Sequence, residues 1–272
     1  MLRFRIVLWV IFYSVRYGTN PFNFFQVNAP WFNADKNIFS KLDIDTYIPE
    51  RWRLPQEPVT DTYAPASFPV FLKPEWGQNS HGIFRIDSES EWQAIKPTLN
   101  SKFSYIAQQA AKGEKEFEVF YVRKASDLDD FSTISISVAE NMSESRHPIN
   151  SIRNPDTHYR HCTDTFSQTG LNQLWSLIGN IGGFKIARLC CRCDSREALV
   201  AGDFEIVEIN LFVPMPLVLL DNNVDHQYKA KFVRSMGQQL ALLIKNIPVS
   251  QPYRGIFFSK WALHRKIVKW KE

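Results

Sequence analysis

Lys73 ends an apolar run, Pro69-Val70-Phe71-Leu72-Lys73, and leads through Pro74 into a polar, glycine-bounded turn, Gly77-Gln78-Asn79-Ser80-His81-Gly82. An ammonium at the end of a buried strand is costly to desolvate unless an anion meets it. Phosphate is a suitable partner, because lysine acts on it as a compact point charge. Far along the chain, Glu208 and Asn210 stand two apart within the apolar run Phe204 to Leu211. In a strand that spacing puts both on one face. A carboxylate and an amide oxygen so placed are hard ligands suited to magnesium, which also takes phosphate oxygens and water. Together the two segments point to a site for ATP and magnesium. The competing readings are a lysine that reaches solvent from an edge strand and a polar pair that faces water. The turn is not a P-loop, since it lacks the Gly-Lys-Ser/Thr ending, but its amides and Ser80 suit a flap over phosphates.

To bring these groups together the chain needs short strands, tight turns and pairing across a long sequence gap. From Phe68 a regular pattern supplies them. Strands are expected at Pro69 to Lys73 and Gly82 to Ile86, flanking the turn. Ser88 opens a helix, with Glu91 as its capping-box partner. Further strands are expected near Tyr105 to Gln108, at Glu116 to Arg123 and at Thr133 to Val138, in a region otherwise polar and broken by Pro148 and Pro155. Ser167 to Ile181 has helical spacing at Leu171, Leu174, Trp175 and Ile178, and Gly182-Gly183 stops it. Phe184 to Cys193 and Phe204 to Leu211 read as strands around a short connection. His226 to Ile244 is a long amphipathic helix. Strands and helices that alternate without regular βαβ spacing predict an α+β class. Residues 1-66 form an N-terminal region and a linker punctuated by Pro49, Pro55, Pro58 and Pro65, and 251-272 form a basic, aromatic tail.

Composition narrows the function. A chain of 272 residues with a net charge of +4 has ample material for a core but too little charge to argue for nucleic acid, and none is expected as a partner. In the tail, Lys260, His264, Arg265, Lys266, Lys269 and Lys271 interleave with Trp261 and Trp270, which fits a solvated amphipathic helix. Arg3 and Arg5 precede the apolar run Ile6 to Tyr13 and resemble the start of a signal peptide, but no small-residue cleavage site follows. The run is also shorter than the roughly 20 residues a membrane span needs. A buried helix or strand is expected there, with peripheral membrane contact as the alternative, and the location is expected to be cytoplasmic. Cys190, Cys191 and Cys193 are too crowded to pair without strain and fit no standard zinc spacing, so they read as reduced core thiols.

The order FP-x-FLKPEWGQNSHGI, EFEVFYVR and ARL…GDFEIVEIN-x-x-x-P resembles the ATP-grasp superfamily, in particular its D-alanine–D-alanine ligase-like carboxylate–amine ligase branch, over Phe68 to Asp221. The resemblance implies an ATP-grasp domain at 67-250, with two α+β subdomains sandwiching ATP behind a short N-terminal region. It also implies that ATP phosphorylates a small-molecule carboxylate to an acyl phosphate, which an amine then attacks. Position by position, Lys73 resembles the nucleotide-phosphate lysine, and Gly77, Ser80 and Gly82 the flap. Gln108 and Gln109 fall near the hinge where adenine and ribose are contacted, and Glu116 matches an acidic residue that follows it. Arg188 resembles the catalytic basic residue that neutralises transferred phosphate, while Glu208 and Asn210 resemble the terminal magnesium ligands.

Three departures accompany the resemblance. Cys190 stands where active ligases offer another metal carboxylate, and a thiolate is a poor magnesium ligand. Residues 140–165 lack the glycine-rich substrate segment of D-alanine ligases. There, His158, Tyr159, Arg160 and His161 suit either contact with an acidic substrate or a solvated loop. The N-terminal region is also short. The alternative function is therefore a degenerate ATP-grasp domain that binds nucleotide or a partner without turnover, and a third is a kinase that releases its phosphorylated product.

Overall fold

The computed structural model of the chain describes residues 2–77, 80–100, 103–248 and 255–268. Strands β1 (Gln56–Pro58), β2 (Val70–Pro74), β3 (Phe84–Ile86) and β4 (Tyr105–Gln109) form one antiparallel sheet in the order β1-β4-β2-β3. Strands β5 (Lys115–Lys124), β6 (Asp127–Asn141), β7 (Thr157–His161), β8 (Ile186–Cys193) and β9 (Glu205–Asn210) form a second, in the order β7-β6-β5-β8-β9. Helices are α1 (Leu2–Arg16), α2 (Lys41–Asp45), α3 (Glu89–Ile95), α4 (Gln168–Ile178), α5 (Arg196–Ala201), α6 (His226–Lys245) and α7 (Ile256–Val268). The class is α+β, as the alternation predicts.

The two-residue period of β5 and β8 decides what each face of the larger sheet does. Phe117, Val119 and Tyr121 of β5, with Leu189 and Cys191 of β8, pack on Leu171, Leu174 and Ile178 of α4 in the largest core. The alternate residues of β5 are Glu116, Glu118, Phe120 and Val122, and those of β8 are Arg192, Cys190, Arg188 and Ile186. This other face is thus polar at one end and apolar at the other, where Phe120, Val122 and Ile186 join a core built with α1 and α6.

The apolar N-terminal run is a helix, as one of the two expectations had it. Ile6 and Val10 of α1 pack with Val233, Met236 and Leu240 of α6. The crossing is close at Gly237, where a Cβ would lie 2.6 Å from Cβ of Trp9. The outer face leaves Phe4, Leu8, Phe12 and Val15 exposed. Among the described residues, no helix is long and apolar enough to cross a membrane.

Other elements depart from expectation. Glu91 caps one residue earlier than a capping box: Ser88 Oγ accepts from Glu91 N, but Glu91 Oε2 accepts from Asp87 N. β6 is far longer than Thr133 to Val138, because its charged start, Asp127 to Asp130, turns directly back on β5. Residues His158 to His161 are not a loop but lie in edge strand β7, alternately buried and exposed. The tail does contain a helix, yet Lys260 on it is only 7% exposed, which corrects the solvated reading. The side chains of His264 and Lys266, and residues Lys269, Trp270 and Lys271, lie outside the described residues, as do Gln78 and Asn79.

The link between the sheets passes through Gly113. A Cβ there would stand 2.3 Å from the backbone nitrogen of Cys193 and 2.4 Å from its Cα, in a strand paired on both sides. Gly113→Ala is therefore expected to destabilise the fold by about 2–4 kcal/mol through backbone displacement, read as a shift in the denaturant midpoint. An unchanged midpoint would mean that the link does not approach β8 so closely.

Candidate functional site

Lys73 is 4% exposed and faces the gap between the sheets. Its Nζ donates to Gln108 Oε1 at 2.8 Å and to the Val207 carbonyl at 3.1 Å. Gln108 Nε2 also donates to that carbonyl, at 3.2 Å. The pairing of β8 with β9 explains the shared acceptor: Cys190 pairs with Glu208 but Cys191 with Ile206, so Val207 is an extra, bulged residue. A bulge frees backbone groups from the ladder and re-aims them. Burial lowers the Lys73 pKa to about 8, with Glu208 pulling it up and Lys41 pushing it down.

Lys41 reaches the same place from α2. Ser40 caps α2 through Asp43 N and also donates to Glu75, which fixes the helix on the turn after β2. Lys41 Nζ then donates to the Pro74 carbonyl at 3.0 Å and lies 3.7 Å from Glu208 Oε1. Glu208 has a side chain 29% exposed. Burial raises its pKa, but Lys41, Lys73 and Arg188 together hold it below the ordinary carboxylate range. It is therefore ionised at neutral pH.

On β5 and β8 the polar face presents a second set. Arg188 Nε lies 2.9 Å from Glu118 Oε2, and Arg188 Nη1 donates to the Met215 carbonyl at 3.1 Å. Glu118 is only 7% exposed, and burial pushes its pKa up to about 7 against the pull of Arg188. Glu116 is also raised by burial, against Arg192. Ligand atoms of Glu116, Glu118 and Cys190 all lie within 4.8 Å of one another. Burial, followed by Glu116 and Glu118, raises the Cys190 pKa well above the usual thiol value, so Cys190 is a neutral thiol.

A cavity of ≈ 460 Å³ opens between the sheets. Lys73, Gly77, Ser80, Gln108, Gln109, Glu116, Arg188, Glu208 and Asn210 all line it, whereas Gly82 does not. Ser80 Oγ donates to the Asn150 carbonyl at 3.1 Å, and Arg85 Nη1 to the His147 carbonyl at 3.3 Å. The turn is thus tied to the segment between β6 and β7. Of the expected substrate-contacting group, Tyr159 lines the cavity, while Arg160 points out to pair with Glu140 at 2.6 Å.

Lys41 and Glu118 were not singled out from sequence. Glu118 had a signal: Glu116-x-Glu118 follows the same two-residue spacing that marks Glu208-x-Asn210. Lys41 had none beyond the Ser40 cap, because its placement depends on docking against the turn after β2.

No protein-family model matches the chain, and no curated protein matches it in sequence. Solved structures do match. The D-alanine–D-alanine ligase of Bacillus anthracis, complexed with ATP, superposes with a TM-score of 0.50 at 11% identity, over 76% of this chain and 66% of that one. An L-amino acid ligase from Bacillus licheniformis matches at TM-score 0.46 and 14% identity, over 74% of this chain and 47% of that one. The D-alanine–D-alanine ligase of Helicobacter pylori matches at 0.46 and 14%, over 78% and 59%. The chain spans about half to two thirds of the length of these proteins. Its two antiparallel sheets, with a cleft between them, have the ATP-grasp fold of the D-alanine–D-alanine ligase type.

Proposed function

We propose that the cleft binds ATP with magnesium and uses it to join a carboxylate to an amine. The observation that carries this reading is the convergence of Lys73, Arg188, Glu208 and Asn210 on one cavity between two sheets. In the reaction, a carboxylate oxygen attacks the γ-phosphorus, the bond to the β–γ bridging oxygen breaks, and ADP departs. The amine nitrogen then attacks the acyl carbon, inorganic phosphate leaves, and the nitrogen gives up a proton. Such chemistry asks mainly for positioning and charge neutralisation. Lys73 and Lys41 meet the phosphates, Gly77 and Ser80 cover them, Gln108, Gln109 and Glu116 meet the nucleoside, and Arg188 faces the transferred group. The donor set fits a hard cation, because Glu208 is ionised and Asn210 shares its face. These two would hold magnesium, with Glu118 as the further carboxylate on this face and Cys190, a neutral thiol, outside the set. When bound, the ion adds positive charge beside the phosphates.

The test is incubation of the protein with ATP, magnesium and pooled carboxylic acids and amines, followed by assay of ADP and of condensed product. ADP release that requires both substrates supports the ligase. Product formed without an amine supports the kinase instead. A second reading, a domain that binds nucleotide without turnover, is favoured by Cys190 alone. Under it, Cys190→Asp is expected to tighten manganese binding severalfold in an isothermal titration, while the wild type releases no ADP. Robust ADP release by the wild type removes that reading.

A further inference from the structure

The cavity does not end at Arg188. Beyond it the lining changes abruptly to apolar side chains: Ile6 and Val7 of α1, Phe24, Val213, and Met236 and Leu240 of α6. The change follows the floor of the larger sheet, which runs Glu116, Glu118, Phe120, Val122 along β5 and Arg192, Cys190, Arg188, Ile186 along β8. Arg188 therefore stands at the border between a charged half and an apolar half of one continuous space.

The wall at this border is built with care. Arg188 Nη1 holds the Met215 carbonyl at 3.1 Å. Asn28, which is 2% exposed, donates through Nδ2 to the Leu211 carbonyl at 2.9 Å and to the Ile186 carbonyl at 2.6 Å. Its Oδ1 accepts from Lys185 N at 3.0 Å, so one buried amide ties the end of β9 to the start of β8. Between these anchors Val213 adopts φ 45°. A β-branched residue rarely occupies that region, and such conformations persist where the surroundings impose them, often beside ligand sites.

Resting on the ligase reading above, we propose that the carboxylate substrate is a monocarboxylic acid with a sizeable aliphatic or aromatic body. Its carboxylate lies at the Arg188 border, facing the phosphate-binding half. Its body fills the chamber enclosed by α1, α6 and the Val213 segment. The charged group at the border itself is Arg188, and a guanidinium there selects an acid rather than an amine for this head position. Met236 adds an adaptable wall that accepts bodies of different shape.

The test is calorimetric titration of the full chain, saturated with magnesium and a non-hydrolysable ATP analogue, with acetate, butyrate, hexanoate, octanoate and 3-phenylpropionate. Affinity is expected to rise about fourfold per methylene until the chamber is full, with phenylpropionate comparable to the longer acids. Val7→Trp, which fills the chamber from α1, is expected to weaken octanoate at least tenfold while leaving the nucleotide analogue within about twofold. The wild-type series decides the matter without that variant. A flat acid series in protein that binds the analogue overturns this inference alone. A steep series for hexylamine and octylamine, with the acids flat, overturns the assignment of the chamber to the acid. Failure to bind the analogue overturns the nucleotide reading instead, so the two failures are distinct.

Discussion

Lys73→Met is expected to weaken magnesium–ATP binding about a hundredfold, with little change in the thermal midpoint. Lys73 carries its charge in a buried position against two neutral acceptors, Gln108 Oε1 at 2.8 Å and the Val207 carbonyl at 3.1 Å. Those acceptors take two of its three hydrogens and none of its charge, and burial accordingly lowers its pKa to about 8. Removing the ammonium takes a donor from Gln108 Oε1 and leaves the Val207 carbonyl to Gln108 Nε2, yet it also removes a desolvated charge, and in stability these largely offset. In binding they do not, because a phosphate delivers the negative charge the site lacks, and truncating one side of such a pair costs about 2–5 kcal/mol. The sign with pH follows. In the free protein Lys73 loses its proton as pH rises through about 8, so wild-type affinity falls from pH 7 to 9.5, and the methionine variant lacks that component. Isothermal titration with ATP at pH 7 and 9 reads both. A variant that binds within threefold of wild type at pH 7 would show that Lys73 is a structural lysine.

What sequence could show of this site divides along a physical line. β2, β5, β8 and β9 were legible because runs of apolar and β-branched residues survive in isolation, and the period of two placed Glu208 and Asn210 on one face. The bulge at Val207 was not legible, although it creates the carbonyl that Lys73 and Gln108 share. A bulge is a relation between two strands and leaves no mark in either one. β7 was hidden by its polar composition: Thr157 and Tyr159 are buried while His158 and Arg160 are exposed, and an edge strand with one wet face reads as a loop. Lys41 comes from a helix of five residues that would be unstable alone and is held by Glu75 and Pro74. The apolar chamber is less legible still. Its walls come from α1, the strained Val213 segment and α6, whose separate patterns announce burial but not the space they enclose.

The second large effect concerns Lys260, and its direction is opposite to that of most buried truncations. Lys260→Met is expected to stabilise the protein by roughly 3–5 kcal/mol near pH 7. Its Nζ lies 4.5 Å from the ring centre of Trp76, 5.1 Å from Phe212 and 6.0 Å from Phe39. Cation–π attraction of about 1–2 kcal/mol per good contact compensates only part of the lost hydration. Burial first, and then repulsion from Lys41, lowers its pKa from 10.5 to about 7, with Glu208 opposing. Because the folded state holds this proton less tightly than the unfolded chain, the penalty is full below about pH 7 and fades as pH rises towards 10.5. Between those limits the unfolded state binds more protons, so the wild type gains stability with pH, whereas Lys260→Met lacks that slope. Urea midpoints at pH 7 and 9.5 for both proteins separate the two behaviours, since methionine keeps the packing against the three rings. A methionine variant less stable than wild type at pH 7 would mean that Lys260 has an anionic partner in the folded protein, and α7 would then be held by charge rather than in spite of it.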